Sequence, residues 1–227
     1  MTIYLIWGLS LALLGLITLF GTKRHQRLAL ISGLLAAPFG LLDYFFTQDY
    51  WTPSHVLGPG ISIEGVLFSF GNGIFLWLLA CLPFGDRVFS DAQVVPLLRR
   101  AAVYSSFAFI IMALLWDRGA GLAGFSLMTS TIVALILVSI ALLAHRPDLI
   151  FLMMSGAVSF GLFYAGQIAI LALFAPEFSS VWMPSVQQGA TFLGFPAEEM
   201  IWAVTYGFAW TGGIGYGSNV RIEGKGK

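Results

Sequence analysis

The sequence predicts an all-α polytopic membrane protein. It has seven transmembrane helices, set out as two parallel three-helix repeats (helices 1–3 and 5–7) joined by a linker helix. Three observations predict this class. First, 58% of the 227 residues are hydrophobic and only 10% are charged, with mean hydropathy +0.88. A soluble domain carries roughly 25% charged residues, so this chain lacks the side chains to cover a water-facing surface. Second, its uncharged runs have the length of membrane spans. Third, its basic residues sort to one side of those runs. The same arithmetic speaks against a disordered chain, a nucleic-acid binder and a soluble α/β enzyme. The one cysteine, Cys81, sits in an apolar run and leaves no disulfide framework or cysteine-rich metal site.

A helix needs about 20 apolar residues to cross the bilayer core. The runs 1–22, 28–42, 65–85, 101–116, 119–144, 149–176 and 200–220 supply them. They predict helices at 3–20, 27–46, 63–82, 100–116, 122–144, 148–174 and 198–217, the fourth being short. The first run does not read as a signal peptide, because no basic residue precedes it and Lys23, Arg24 and Arg27 follow it. That bias places the amino terminus outside. Segment 178–197 is also uncharged, but Ser179, Ser180, Pro184, Ser185, Gln187, Gln188 and Gly189 make it a loop or a re-entrant segment.

With seven spans, Lys23, Arg24, Arg27, Arg87, Arg99, Arg100, Arg146, Arg221, Lys225 and Lys227 fall inside, and only Arg118 falls outside. The expected location is therefore the cell membrane, multi-pass, with the carboxyl terminus cytoplasmic. The acidic residues sort the other way. Asp43, Asp49, Glu64, Asp117, Glu177, Glu198 and Glu199 lie toward the outer ends of helices, and Asp86, Asp91, Asp148 and Glu223 lie inside. Acidic residues contribute little to topology, so their distribution needs another reason.

Two segments resemble each other. Trp51-Thr52-Pro53 followed by Ile61-Ser62-Ile63-Glu64-Gly65 parallels Trp182-Met183-Pro184 followed by Phe195-Pro196-Ala197-Glu198-Glu199. The Trp-x-Pro pairs are 131 residues apart and the Glu positions 134 apart. Each copy joins an inside-to-outside helix to an outside-to-inside one, as parallel repeats do. The expected organisation is one membrane domain, with 1–85 the first repeat unit, 86–121 a linker holding helix 4, 122–220 the second unit and 221–227 a cytoplasmic tail. Three spans invert the chain, and helix 4 restores its direction.

Candidate chemistry gathers at the outer helix ends. Glu64, Glu198 and Glu199 open helices 3 and 7, and Asp43 ends helix 2. A Glu in a first turn also simply favours the helix dipole. Ionisable groups near hydrocarbon are costly, however, and default to a functional hypothesis. Below Glu64, Phe68 and Asn72 follow at i+4 and i+8. Below Glu199, Trp202, Tyr206 and Trp210 follow at i+3, i+7 and i+11. Acidic groups thus cap an aromatic wall, extended by Tyr44, Phe45, Trp51 and Tyr164, of the kind that stabilises a cation. Interfacial belts and core packing also use such rings. Asn72 and Gln167 are polar within spans, serving either as interhelical hydrogen bonds or as site residues.

No metal or cofactor is expected. His25, His55 and His145 form no i,i+4 pair. No Asp-rich run suits a diphosphate-bound divalent cation. The string Gly212-Gly213-Ile214-Gly215 follows no strand and reads as close helix packing. Lys23, Lys225 and Lys227 lie outside the spans, so no intramembrane Schiff base is available to a retinal.

Ser62-Ile63-Glu64-Gly65 and Pro196-Ala197-Glu198-Glu199 resemble the Pro-x-Glu-Glu motif of the lycopene cyclase domain family, the small integral-membrane carotenoid cyclases of heterodimeric or fused type. The segment from Asp43 to Trp51 also looks like the stretch preceding that family's first motif. The first copy departs from the pattern, with Ser62 in place of Pro and Gly65 in place of the second Glu. The resemblance implies two three-helix halves and a proton-initiated, non-redox cyclisation. A carboxylic acid protonates a terminal double bond, a neighbouring double bond closes the ring on the tertiary cation, and a carboxylate removes a proton. It implies Glu64, Glu198, Glu199 and Asp43 as the catalytic carboxyl groups. Tyr44, Trp51, Phe68, Asn72, Tyr164, Trp202, Tyr206 and Trp210 would contact substrate. The implied partners are the lipid bilayer and a hydrophobic isoprenoid or carotenoid. Nucleic acid is not among them, and a homo-oligomer stays open. A terpene cyclase for a prenylated or epoxidised substrate, or a non-enzymatic carotenoid- or lipid-binding subunit, would use the same residues.

Overall fold

The computed structural model describes residues 2–58, 62–90 and 93–223. Ile61, Asp91, Lys225 and Lys227 of the sequence reading lie outside the described residues, as does the end of the expected tail. Helix α1 (Ile3–Gly21) opens on Thr2, whose hydroxyl accepts the Leu5 N–H at 3.2 Å and satisfies a first-turn donor. Helix α2 (Gln26–Ala36) tightens into a 3₁₀ turn, Ala37–Leu42, and resumes as α3 (Asp43–Asp49). The single helix expected over 27–46 is thus interrupted. Pro38 lacks an N–H and crowds the preceding turn, which breaks the α ladder. Helix α4 (Ile63–Cys81) matches the expected 63–82, and a short strand β1 (Val88–Phe89) follows.

Helix α5 (Val94–Leu115) is not short: it has 22 residues and takes in Arg99 and Arg100. Charge ended the expected span, but Arg and Leu are good helix formers and carry the helix beyond the apolar run. Helix α6 (Leu127–His145) starts five residues later than the expected 122, where the Ser126 hydroxyl accepts the Thr129 N–H at 3.1 Å. Helix α7 (Ile150–Phe174) continues a 3₁₀ turn at Pro147–Leu149. The segment expected as a loop folds into a 3₁₀ turn (Pro176–Val181), a single turn α8 (Pro184–Gln187) and a hairpin of β2 (Thr191–Phe192) and β3 (Phe195–Pro196). Its two-residue turn, Leu193-Gly194, has positive φ at both positions, which suits the right-handed twist of a hairpin. Helix α9 (Ala197–Gly217) and strand β4 (Arg221–Ile222) complete the described chain.

The protein is mostly helical, and among the described residues six helical segments are long and apolar enough to cross a membrane: Ile3–Gly21, Gln26–Thr47, Ile63–Cys81, Val94–Leu115, Leu127–His145 and Pro147–Phe174. Many of their large apolar side chains point outward, among them Ile17, Phe20, Phe107, Ile140, Leu162 and Phe174. Soluble monomers rarely expose contiguous apolar surface on this scale. The helices are compatible with a multi-pass membrane protein, in which lipid covers these residues.

The chain divides into two compact units. The first comprises Met1–Leu78 and Leu162–Met200. In it, small residues let helices approach. A Cβ on Gly71 of α4 would lie 2.5 Å from the Leu11 carbonyl carbon of α1, and Ser32 of α2 donates to the Gly73 carbonyl at 2.6 Å. The second comprises Leu79–Gly161 and Ile201–Lys227. There α5 packs on α6, and Gly156 and Gly207 bring the backbones of α7 and α9 together. Arg146 grips Asp148 with two nitrogens and donates to the Val220 carbonyl at 2.7 Å, while β1 pairs antiparallel with β4. This ties down the chain end that follows α9.

Candidate functional site

The candidate site lies within the first unit, where two buried carboxyl groups, Glu64 and Glu199, and a half-buried one, Asp43, sit among aromatic rings. Glu64 is in the first turn of α4 and fully buried. Its Oε1 accepts the Val56 backbone N–H at 2.7 Å. Its Oε2 has no hydrogen-bond partner among the described residues, and His55 Nδ1 stands 3.5 Å away. Asp43 opens α3. Its Oδ2 accepts two hydroxyls, from Tyr4 and from Ser62, each at 2.5 Å. Glu199, in the first turn of α9, is 6% exposed. Its Oε2 accepts the Tyr164 hydroxyl at 2.6 Å, and its Oε1 accepts the Trp182 indole N–H at 3.0 Å. None of the three has a Lys or Arg partner among the described residues.

Ser62 explains its own place in the sequence. Its hydroxyl donates to Asp43 and accepts the Gly65 N–H at 2.8 Å, so one side chain caps α4 and orients a carboxyl group. Gly65 is explained by the same neighbour. A Cβ there would collide with Asp43 Oδ2 and come within 2.6 Å of the Gly40 carbonyl oxygen. The Asp43 carboxyl group occupies the volume that a side chain at position 65 would need.

Aromatic rings fill the space around these groups. Tyr4 lies edge-on to Trp51 at 4.9 Å between centroids and 5.9 Å from the His55 ring. Trp7 lies edge-on to Phe68 at 4.7 Å and to Phe178 at 5.9 Å, with Tyr164 at 6.4 Å. Trp51 faces Trp182 at 5.6 Å, and Phe178 and Phe195 pack on Trp182 at 5.7 and 5.2 Å. The two Trp-x-Pro segments hold this arrangement by their backbones. The Thr52 N–H donates to the Val181 carbonyl at 2.7 Å, and the Met183 N–H donates to the Tyr50 carbonyl at 3.0 Å, making Trp51 and Trp182 an antiparallel bridge. In this loop the Tyr50 hydroxyl is pushed well above its ordinary pKa by burial and then by the Glu199 and Glu198 carboxyl groups, so it stays neutral.

A buried polar chain runs beside the rings. The Trp7 indole N–H donates to Gln167 Oε1 at 2.9 Å, and Gln167 Nε2 donates to Asn72 Oδ1 at 3.0 Å. Trp7 belongs to α1, Gln167 to α7 and Asn72 to α4, so the chain also ties three helices together.

The structure thus brings together Asp43, Trp51, Phe68, Asn72, Glu64, Tyr164 and Glu199 within one compact unit. Tyr44 is 51% exposed, and its ring packs on Phe45 at 5.4 Å. Glu198 is neither fully buried nor hydrogen-bonded like Glu199. Trp202, Tyr206 and Trp210 stack in series at 5.1 and 5.5 Å in the second unit, where Phe160 meets Tyr206 at 5.7 Å. Glu199 belongs to the first unit, so the stripe read from Glu199 to Trp210 is divided between the two. Sequence reasoning missed Tyr4, Trp7, Trp182 and Phe178 as site residues and gave His55 only a failed metal role. The first two are polar-tipped aromatics at i and i+3 inside an apolar span, a pattern that ordinary span aromatics share. No group of three or more His, Cys, Asp or Glu among the described residues is placed to hold a metal ion.

In comparisons with protein-family models, curated proteins and solved structures, no match was found.

Proposed function

We propose that the protein is a membrane enzyme that cyclises the end of an acyclic isoprenoid, of the carotenoid type, by proton transfer between buried carboxyl groups and without a cofactor. The observation that carries this reading is the burial of Glu64 and Glu199, with Asp43 half-buried beside Tyr4, among aromatic rings and with no Lys or Arg partner among the described residues. Burying a carboxyl group in hydrocarbon is expensive, and proton chemistry on an apolar substrate gives a reason for that cost. Aromatic faces stabilise the carbocation and exclude water from it.

The hydrogen bonds suggest how the work is divided. Both oxygens of Glu199 are engaged as acceptors, whereas Glu64 Oε2 accepts no hydrogen bond among the described residues and has His55 Nδ1 at 3.5 Å. A proton on Glu64 Oε2 would face His55 Nδ1 at 3.5 Å, a longer and weaker contact than those that hold Glu199, which suits the acid. Glu64 gives that proton to the terminal carbon–carbon double bond, leaving a tertiary cation. The next double bond supplies its electron pair to the cation and closes a six-membered ring. The new cation loses a proton from an adjacent carbon to a carboxylate, for which Glu199 is the candidate base. Atoms and electrons balance, and the product is an isomer of the substrate.

The seven-span reading takes α9 as the last span, although it is less apolar than the six named above. With it, the amino terminus is outside and the carboxyl terminus cytoplasmic. The repeat reading draws support from the bridge. Trp51 and Trp182, 131 positions apart like the Trp-x-Pro pairs to which they belong, are the two residues that face each other in it.

The test uses membranes containing the full chain, supplied with acyclic carotenoids both with and without oxygen, in light and heavy water. The reading requires an isobaric cyclic product that gains a single deuteron per ring in heavy water. Absence of any cyclic product, with folded protein in the membrane, removes the reading.

A further inference from the structure

The buried chain Trp7–Gln167–Asn72 has a direction that chemistry fixes. An indole N–H only donates, so the atom of Gln167 facing Trp7 is Oε1, at 2.9 Å. The Gln167 amide nitrogen then faces Asn72 and only donates, so the atom of Asn72 that meets it, at 3.0 Å, is Oδ1. This leaves Asn72 Nδ2 as the end of the chain, a donor with its orientation settled. Asn72 is 1% exposed, and Nδ2 has no acceptor among the described residues. An unmatched buried donor loses its hydrogen bonds to water and gains none in return. A chain of three polar side chains that ends in one is a costly way to fill an apolar interior.

The donor is also well placed. Glu64, Phe68 and Asn72 follow each other at four-residue intervals on α4, so Asn72 lies about 12 Å along the helix from the proposed acid at 1.5 Å per residue. Phe68, between them, packs on Trp7, the residue that starts the chain.

We propose that Asn72 Nδ2 donates a hydrogen bond to an oxygen on the isoprenoid, so that the molecule bound here is an oxygenated acyclic isoprenoid, carrying an epoxide, ether, hydroxyl or keto oxygen, and not a bare hydrocarbon. The inference rests on the isoprenoid reading of the same residues and narrows its substrate class. A site with a buried donor discriminates strongly against a ligand that leaves the donor unpaired.

Squalene and 2,3-oxidosqualene share a carbon skeleton and differ by one oxygen, so they isolate this contact. Each is equilibrated with the purified full chain in detergent, and bound ligand is measured by chromatography. The expected result is binding of the oxidised probe about tenfold tighter or more, with that ratio collapsing toward one in Asn72→Leu. The comparison on the unsubstituted chain stands alone if that variant does not fold. Equal affinity for both probes, tighter binding of squalene, binding of neither, or a preference that survives in folded Asn72→Leu overturns the proposal. The cyclase reading is tested separately. Cyclisation of a bare hydrocarbon alongside equal probe binding overturns this inference and leaves the cyclase standing. Preferential binding of the oxidised probe with no turnover of any isoprenoid does the reverse.

Discussion

Glu64 and Glu199 both sit in the first turn of a helix, yet their hydrogen bonds give them different parts. Glu64 keeps one oxygen free of hydrogen bonds among the described residues, with His55 Nδ1 3.5 Å away, and Glu199 has both oxygens held. If Glu64 is the acid, Glu64→Gln removes the transferable proton with little change in shape. The loss of a general acid is worth roughly 10²- to 10⁴-fold in rate, measured as product formed per chain in membranes. Glu199→Gln should cost a similar factor. Glu198→Gln should leave most activity, because Glu198 is less buried and lacks the Tyr and Trp donors. A large loss in Glu198→Gln with none in Glu199→Gln would reverse their roles. Tyr164→Phe removes one charge-assisted hydrogen bond, which should destabilise the folded chain by about 1.5–3 kcal/mol. Thermal unfolding of both forms in one detergent measures that loss. The aromatic-capped carboxyl groups were legible in the sequence because Glu64, Glu199 and Asp43 interrupt apolar runs. Tyr4 and Trp7 were not. Their hydroxyl and indole tips look like ordinary span aromatics until the fold shows that one reaches Asp43 and the other Gln167.

Among the elements, the start of α4 is where the departure of Ser62 and Gly65 from their counterparts Pro196 and Glu199 finds a physical reason. Pro196 leads into its helix from a strand position, whereas Ser62 caps its helix and holds Asp43. Gly65 is bare because Asp43 and the Gly40 backbone stand where its Cβ would be. Gly65→Ala should therefore be overpacked and lower stability by about 1–3 kcal/mol. Gly65→Ala combined with Asp43→Gly should recover part of that loss by clearing the carboxyl group from the space. Equal stability of the single variant and the native chain would show that the space is open. Element type was read well from uncharged run lengths, since hydrocarbon thickness dictates them. Boundaries were read less well, for reasons that run length does not carry: Pro38 tightens α2 into a 3₁₀ turn, Ser126 delays α6, and α5 extends through Arg99 and Arg100.

At the scale of the whole molecule, the charges that cancel in number need not cancel in place. The seven-span reading puts Lys23, Arg24 and Arg146 on the cytoplasmic side and Arg118 on the other. Single cysteines at positions 25 and 118, introduced after Cys81→Ser, test it in whole cells with a membrane-impermeant maleimide. Position 118 should label in intact cells and position 25 only after lysis. Labelling at position 25 in intact cells would invert the assignment. That arrangement places the loop of Trp51 and His55 and the start of α9 on the outer side, so the carboxyl groups lie near one membrane boundary. The measurement that bears most directly on the central claim is heavy-water incorporation by membranes holding the native chain, Glu64→Gln or Glu199→Gln, each supplied with acyclic carotenoids with and without oxygen. The account predicts a cyclic product from the native chain that is isobaric with the substrate in light water and carries a single deuteron per new ring in heavy water, and its near-complete loss in both variants. No cyclic product from folded native chain, or full activity in both variants, would contradict it.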